Sequence, residues 1–224
     1  MGVKALSSVC LIYGAGGFGR EVAWLLRDYH LAFGRLEPLC FVDDDSQLHG
    51  TRLSGLPVID LATATRLYHG APMVLAIGAP QTRANVLPRV SNLGFEFPAI
   101  VHPSVKRSEY VSIGQGVLIC ASSILTTEVS VGVHTHINLG CTIGHDVTIG
   151  QYCTVSPGVH LSGWVHVGNR VFIGTGAVFI NGTQAEPLTI GDGVTIGAGA
   201  CVTRSVSPGE TVVGVPARPI QRKD

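Results

Sequence analysis

Chemistry in this chain is concentrated at three places. In Ile143-Gly144-His145-Asp146-Val147-Thr148 an imidazole stands directly before a carboxylate. A carboxylate beside a histidine orients its tautomer and supports the ring once it has taken up a proton, so this pair is a candidate general base. The second place is Gly14-Ala15-Gly16-Gly17-Phe18-Gly19, which fits G-x-G-x-x-G between an apolar run (VCLIY) and a helix-spaced stretch (REVAWLLRDY). Strand, glycine turn and helix in that order let the N–H groups of the helix start hold a phosphate, with Gly16, Gly17 and Phe18 at the point of contact. The third is Asp43-Asp44-Asp45, after the short strand Leu39 to Val42. Acids at the end of a second strand accept hydrogen bonds from a ribose or a base edge. Taken singly, a solvated histidine and a turn-capping acidic loop explain two of these features. The acids gain weight because they follow the glycine turn.

The element that must carry His145 is a repeat of six residues. From Ile113 an aliphatic or aromatic residue returns at each step: Ile113, Ile119, Leu125, Val131, Ile137, Ile143, Ile149, Val155, Leu161, Val167, Ile173 and Phe179. A second register two places earlier is also small or apolar, with Ser123 and Thr135 as polar exceptions. Glycine often follows the main position, and the expectation is that it serves sharp corners where Cβ is forbidden. The count slips once, between Phe179 and Ile190, so Asn181 to Leu188 should bulge as a loop. A sandwich would space its strands by about 8–12 residues. A strict six instead describes a parallel β-helix, stabilised by coil stacking on coil. With three hexapeptides per triangular turn, residues eighteen apart stack. Gly163 then lies over His145 and leaves open space beside an outward-pointing ring. His134, His160 and His166 read as surface or interface residues, and His136 has little claim to a role.

The glycine turn and the acids belong to residues 1–100, where short apolar strands alternate with helix-spaced segments and a third strand, Met73 to Ile77, closes on Gly78. Leu56 to Ile59 reads as a connector, a helix is expected over Gln81 to Leu93, and Phe97 to Val101 reads as the last strand. This is a small α/β, Rossmann-like unit with too few elements for both mononucleotide halves, which favours a nucleoside-diphosphate ligand over NAD. Residues 101–224 form the β-helix and a tail. Lys+Arg and Asp+Glu each number 15 in the 224 residues, so no net field recruits nucleic acid or an anionic membrane. Only 13% of residues are charged, which suggests surface hidden in an oligomer. Met1 to Cys10 shows no targeting pattern and no long apolar run follows, so a cytoplasmic protein is expected. The six cysteines form no CxxC pair and no zinc-like cluster, so no metal is expected and the thiols read as reduced core residues.

The succession GAGGFGRE, FVDDD, AIGAP, VHPS, IGHDVTIG, VSPGVHLSG, IGAGACV and VVGVPARPI resembles the bacterial sugar acetyltransferases, from about Val9 to Ile220. That family includes sialic acid O-acetyltransferases of the NeuD type and nucleotide-4-amino-sugar N-acetyltransferases of surface-glycan biosynthesis. The resemblance implies a left-handed β-helix, a homotrimer, and acetyl-CoA lying between neighbouring β-helices. It implies His145 as general base supported by Asp146. It also implies cofactor contacts at Gly163, Thr175 and Ala198, and at Thr154, where relatives can carry a second histidine. The nucleotide-linked amino sugar would meet Gly16, Gly17, Phe18, Asp43, Asp44 and Gly78. N-acetylation is the leading expectation and O-acetylation of sialic acid or a related sugar the alternative. A small NAD-dependent oxidoreductase would use the glycine turn and leave half the chain idle. A non-catalytic solenoid would leave the His145–Asp146 pair unexplained.

Overall fold

The computed structural model describes residues 6–220, so the first five residues of the Met1–Cys10 start lie outside the described residues. The described residues form two compact units: those up to Gly78 with Thr82–Pro103, and those from Ser104 onward with Ala79–Gln81.

In the first unit the strands are β1 (Val9–Tyr13), β2 (Glu37–Val42), β3 (Arg52–Leu53), β4 (Leu56–Ile59) and β5 (Met73–Leu75); the helices are α1 (Gly17–Phe33), α2 (Leu61–Tyr68) and α3 (Pro80–Ser91). The sheet order is β3-β4-β2-β1-β5, parallel except for the β3–β4 hairpin. Every β1 side chain is buried, as the unbroken apolar run VCLIY requires of a strand covered on both faces. The chain leaves β1 toward β2 on one side and returns as β5 on the other. The carboxyl end of β1 is therefore the point where the strand order reverses, which is where open α/β sheets take ligands. Leu56–Ile59 is a strand rather than a connector: Val58 pairs with Phe41 and Ile59 with Val42. Pro57 and the burial of Val58 alone hid it. Helix α1 runs beyond Tyr29 to Phe33 and stops at Gly34 (φ 70°), whose N–H caps His30 O. Leu31 and Phe33 are exposed, so no apolar stripe marked that last turn. Of Phe97 to Val101, Ile100–Val101 alone is strand, since Pro98 has no N–H for a ladder.

The second unit is a left-handed parallel β-helix. Its first face stacks Lys106–Arg107, Ile124–Leu125, Thr142–Ile143, His160–Leu161, Val178–Phe179 and Cys201–Val202. The second stacks Val111–Ile113, Val129–Val131, Thr148–Ile149, Val165–Val167 and Leu188–Ile190. The third runs from Leu118–Ile119 through His136–Ile137, Thr154–Val155, Phe172–Ile173 and Thr195–Ile196 to Thr211–Val213. Partners are eighteen residues apart (Thr142 with His160) until the slip, where Val178 pairs with Cys201. The chain then ends its stack with Arg218–Pro219 laid antiparallel on Thr211–Val213.

Beyond the partly buried Ile113, both inward registers are buried; Val117, Ile137, Val194 and Ile196 are at 0%. Each such side chain contributes about 1.5–3 kcal/mol. The two polar exceptions are satisfied in place. Ser123 donates to Asn138 O (2.8 Å) and accepts from Cys141 N; Thr135 donates to Gly150 O (2.7 Å) and accepts from Cys153 N. Five cysteines are buried and Cys201 is partly so. Burial pushes the Cys141 thiol up to about 11 and Cys40 to about 12, which keeps both protonated.

The corner glycines act differently from the expectation. Gly132, Gly144 and Gly150 are not in the left-handed region; a Cβ on each would stand 2.4–2.7 Å from backbone of the next coil. The left-handed residues come two places later, at Ser122, Glu128, His134, Gly140, Asp146, Tyr152, Gly158, Trp164, Arg170 and Gly176. Close stacking, not dihedral freedom, selects glycine after the main position.

Candidate active site

His145 stands in the corner between Thr142–Ile143 and Thr148–Ile149. Its backbone is tied to both neighbouring coils: Asp146 N donates to Thr127 O (3.2 Å) and Trp164 N to His145 O (3.1 Å). Asp146 takes φ 56°, which turns its side chain back toward the ring. The His145 Nδ1 to Asp146 Oδ2 distance is 2.7 Å. With the carboxylate accepting, Nδ1 carries the hydrogen and Nε2 keeps its lone pair. The ring extends over Gly163, so that a Cβ there would lie 2.4 Å from Nε2 and from Cε1. Half of the side chain is open to solvent (52%). This is a fixed, accessible proton acceptor over a step of the coil that has no side chain.

Thr175 and Ala198 share a different corner, between the third and first faces, where Gly199 N donates to Thr175 O (2.8 Å). One chain therefore sets His145 and Gly163 on one edge of the first face, with Thr175 and Ala198 on the other. Thr154 is buried (4%) within Thr154–Val155. His134 and His136 are buried as well (3% and 1%), His134 stacked on Tyr152 at 5.8 Å, so neither is a surface residue.

In the α/β unit the six-residue glycine turn divides by role. Gly14 has φ 107°, and a Cβ on it would meet Ala76 O at 2.8 Å; a Cβ on Gly19 would meet Gly14 O at 2.0 Å. Those two glycines shape the turn. Gly16 and Gly17 are exposed, with open space around Gly16, and they lead into α1. Asp43 holds the turn from β2: its Oδ2 accepts from Ala15 N (2.7 Å) and its Oδ1 from Asp45 N (2.9 Å). Asp44 is engaged by Tyr13 OH (2.8 Å) and by two nitrogens of Arg89 (3.1 Å each). Partial burial pushes the Asp44 carboxyl up, but the hydrogen bonds from Arg89 and Tyr13 outweigh it and hold it below the usual range. Tyr13, largely desolvated and bonded to that carboxylate, is shifted upward. Arg83, fully buried in α3, donates to Ile77 O and steadies the backbone before Gly78. Sequence reasoning missed Tyr13, Arg83 and Arg89. Tyr13 reads simply as the last core residue of VCLIY, Arg83 reaches Ile77 O from within α3, and Arg89 meets Asp44 only through the fold.

Known proteins resemble this chain over nearly its whole length. Residues 10–90 match the model of the PglD N-terminal domain, and residues 146–181 that of the bacterial transferase hexapeptide (six repeats). A GDP-perosamine N-acetyltransferase of Escherichia coli O157:H7 is 35% identical over 217 residues, covering 94% of this chain and 96% of the relative. The chain belongs to the bacterial sugar acetyltransferase family. Among solved members, WeeI from Acinetobacter baumannii AYE superimposes with TM-score 0.87 at 34% identity, over 95% of this chain and 99% of that one. The acetyltransferase domain of PglB from Neisseria gonorrhoeae FA1090, in complex with acetyl coenzyme A, gives 0.85 at 30% identity, over 96% and 100%. PerB from Caulobacter crescentus, in complex with CoA and GDP-perosamine, gives 0.83 at 28% identity, over 95% and 97%.

Proposed function

We propose that this family member transfers the acetyl group of acetyl-CoA to the amino group of a nucleotide-linked amino sugar, in the cytoplasmic part of surface-glycan synthesis. The observation that carries the reading is the His145 Nε2, freed for a proton by the Nδ1–Asp146 contact of 2.7 Å and laid over Gly163. The substrate in the name of the 35%-identical relative, and the GDP-perosamine bound to PerB, make a GDP-linked amino sugar the first to test.

The amine nitrogen attacks the thioester carbonyl carbon while one of its protons passes to His145 Nε2. Asp146 steadies the imidazolium, and a backbone N–H of the crevice holds the oxyanion. Collapse breaks the C–S bond; the leaving thiolate takes the proton from His145, giving CoA and the acetamido sugar. An amine is already a fair nucleophile, so much of the rate comes from holding two reactants together. The core cysteines, buried away from the crevice, take no part.

Gly16, Gly17 and Phe18 bind the diphosphate at the start of α1, Asp43 and Asp44 face the nucleoside, and Gly78 lets the third loop approach. Gly163 of one chain with Thr175 and Ala198 of another border the coenzyme. That pairing of opposite edges of the first face supports a homotrimer, and Ile124, Val178 and Ile180, exposed on or beside that face, are apolar surface for it. Thiol release from acetyl-CoA is followed with GDP-, UDP- and CMP-linked amino sugars, and the product is analysed by mass spectrometry for an amide. Release with none of them, or an ester product, rejects the reading.

A further inference from the structure

The slip in the repeat falls at one place with respect to His145. Thr127, His145, Gly163 and Asn181 occupy the third place of successive coils, because Asp146 N to Thr127 O, Trp164 N to His145 O and Gly182 N to Gly163 O are the same bond repeated. The coil stays in register through Gly182 and resumes at Leu188, whose N–H donates to Trp164 O (2.9 Å). The extra five residues, Thr183 to Pro187, therefore stand on the corner column that carries His145. Asn181 lies two coils from the His145 backbone, roughly 10 Å at the ordinary strand spacing, and one coil beyond Gly163, over which the imidazole extends.

The insertion is built as a wall rather than a loose loop. Both ends are fixed as described, and inside it Thr183 N donates to Glu186 O (3.0 Å) and Glu186 N to Thr183 Oγ1 (3.0 Å). A Cβ on Gly182 would strike Trp164 O at 2.3 Å, so the base cannot shift outward without losing its seat. Asn181, Thr183, Gln184 and Glu186 are exposed. No Lys or Arg occurs from Val171 to Thr203, and the insertion's one charge is the acid Glu186. Such a wall offers no cation to a diphosphate and suits a neutral arm. The side chain one coil beyond Gly163 is a carboxamide, which offers donor and acceptor together and so complements an amide.

We propose that Asn181, held by the Thr183–Pro187 insertion, binds an amide of the pantetheine arm of coenzyme A as that arm passes Gly163, and so positions the thioester at His145. The inference rests on the acetyl-CoA reading above and adds to it a residue and a segment beyond the hexapeptide pattern. Titration calorimetry of the intact protein with CoA, and separately with GDP, separates the two ideas. No CoA binding by the parent defeats the acetyl-CoA reading itself. Given parent binding, Asn181→Ala should raise the Kd for CoA about 3–10-fold, the worth of one neutral hydrogen bond, and leave that for GDP unchanged. Asn181→Gln should recover less than the full affinity, because its carboxamide stands one methylene farther out. Excision of Thr183–Pro187, checked by thermal unfolding, should weaken CoA binding at least as much as Asn181→Ala. An unchanged Kd for CoA in Asn181→Ala, or a rise in the nucleotide-sugar KM in its place, overturns the assignment to the pantetheine arm.

Discussion

Gly163→Ala tests the site at its narrowest point. The added methyl would lie 2.4 Å from Nε2 and Cε1 of His145, whereas ordinary contact begins at 3.4 Å. The atoms in the way belong to a half-exposed ring, and Gly163 is not among the glycines with positive φ. The fold should therefore absorb the change, with stability altered by less than about 0.5 kcal/mol. The ring cannot stay where it is. It must move by about 1 Å, a displacement able to cost on the order of 100-fold in rate when the reacting groups need near-attack geometry. Moving it also stretches the 2.7 Å contact that fixes the tautomer. Steady-state thiol release should show kcat reduced about 30–100-fold, while the unfolding midpoint stays within about 2 °C of the parent. A kcat within twofold of the parent would refute the claim that the imidazole's seat over this glycine matters to the reaction.

His145→Ala should lower kcat by about 100- to 10,000-fold, the usual worth of a general base, with CoA binding still measurable by calorimetry; full activity would remove His145 from the mechanism. Asp146→Asn keeps a side chain that tolerates φ 56° but loses the carboxylate, so kcat should fall without a change in melting temperature. For Asp44 the lowered pKa makes its bonds to Arg89 and Tyr13 stabilising above the unfolded value near 3.8, and that contribution disappears as pH falls through the lower folded value. Asp44→Asn should accordingly melt below the parent at pH 7, with the gap closing below about pH 4. An unchanged gap in acid would show that burial, not ionisation, governs this residue. In the glycine turn, Gly19→Ala meets backbone at 2.0 Å and should unfold the first unit, whereas Gly16→Ala has open space and should melt like the parent while binding GDP more weakly.

How much of this was legible in the sequence depends on the range of the interaction. The β-helix shows itself in every hexapeptide because each coil repeats the same burial, and His145 with Asp146 is visible because the two are adjacent. Gly163 needed one further step, the eighteen-residue turn. The reason for glycine after the main position was misread, since the backbone it would strike is eighteen residues away and a local rule points to dihedral angles instead. Strand β4 was missed because Pro57 weakens the local pattern while its pairing with β2 is tertiary. Thr154 and His134 are polar types at positions that the folded chain buries. Arg89 and Tyr13 are read only when β1, β2 and α3 converge, through contacts as far as 76 residues apart, and Arg83 only from its fully buried place in α3.

A pile of parallel coils has no intrinsic length: each end offers a row of amides and carbonyls on which another pile could grow. This chain closes one end itself by reversing direction, so that Arg218–Pro219 lies against Thr211–Val213 and places an imino acid on the outermost strand. On the first face the opposite terminus is Lys106–Arg107, two exposed cations side by side. The same interaction that makes the core easy to extend is thus answered by proline at one rim of the third face and by like charge at one rim of the first, two devices that blunt growth from those strands.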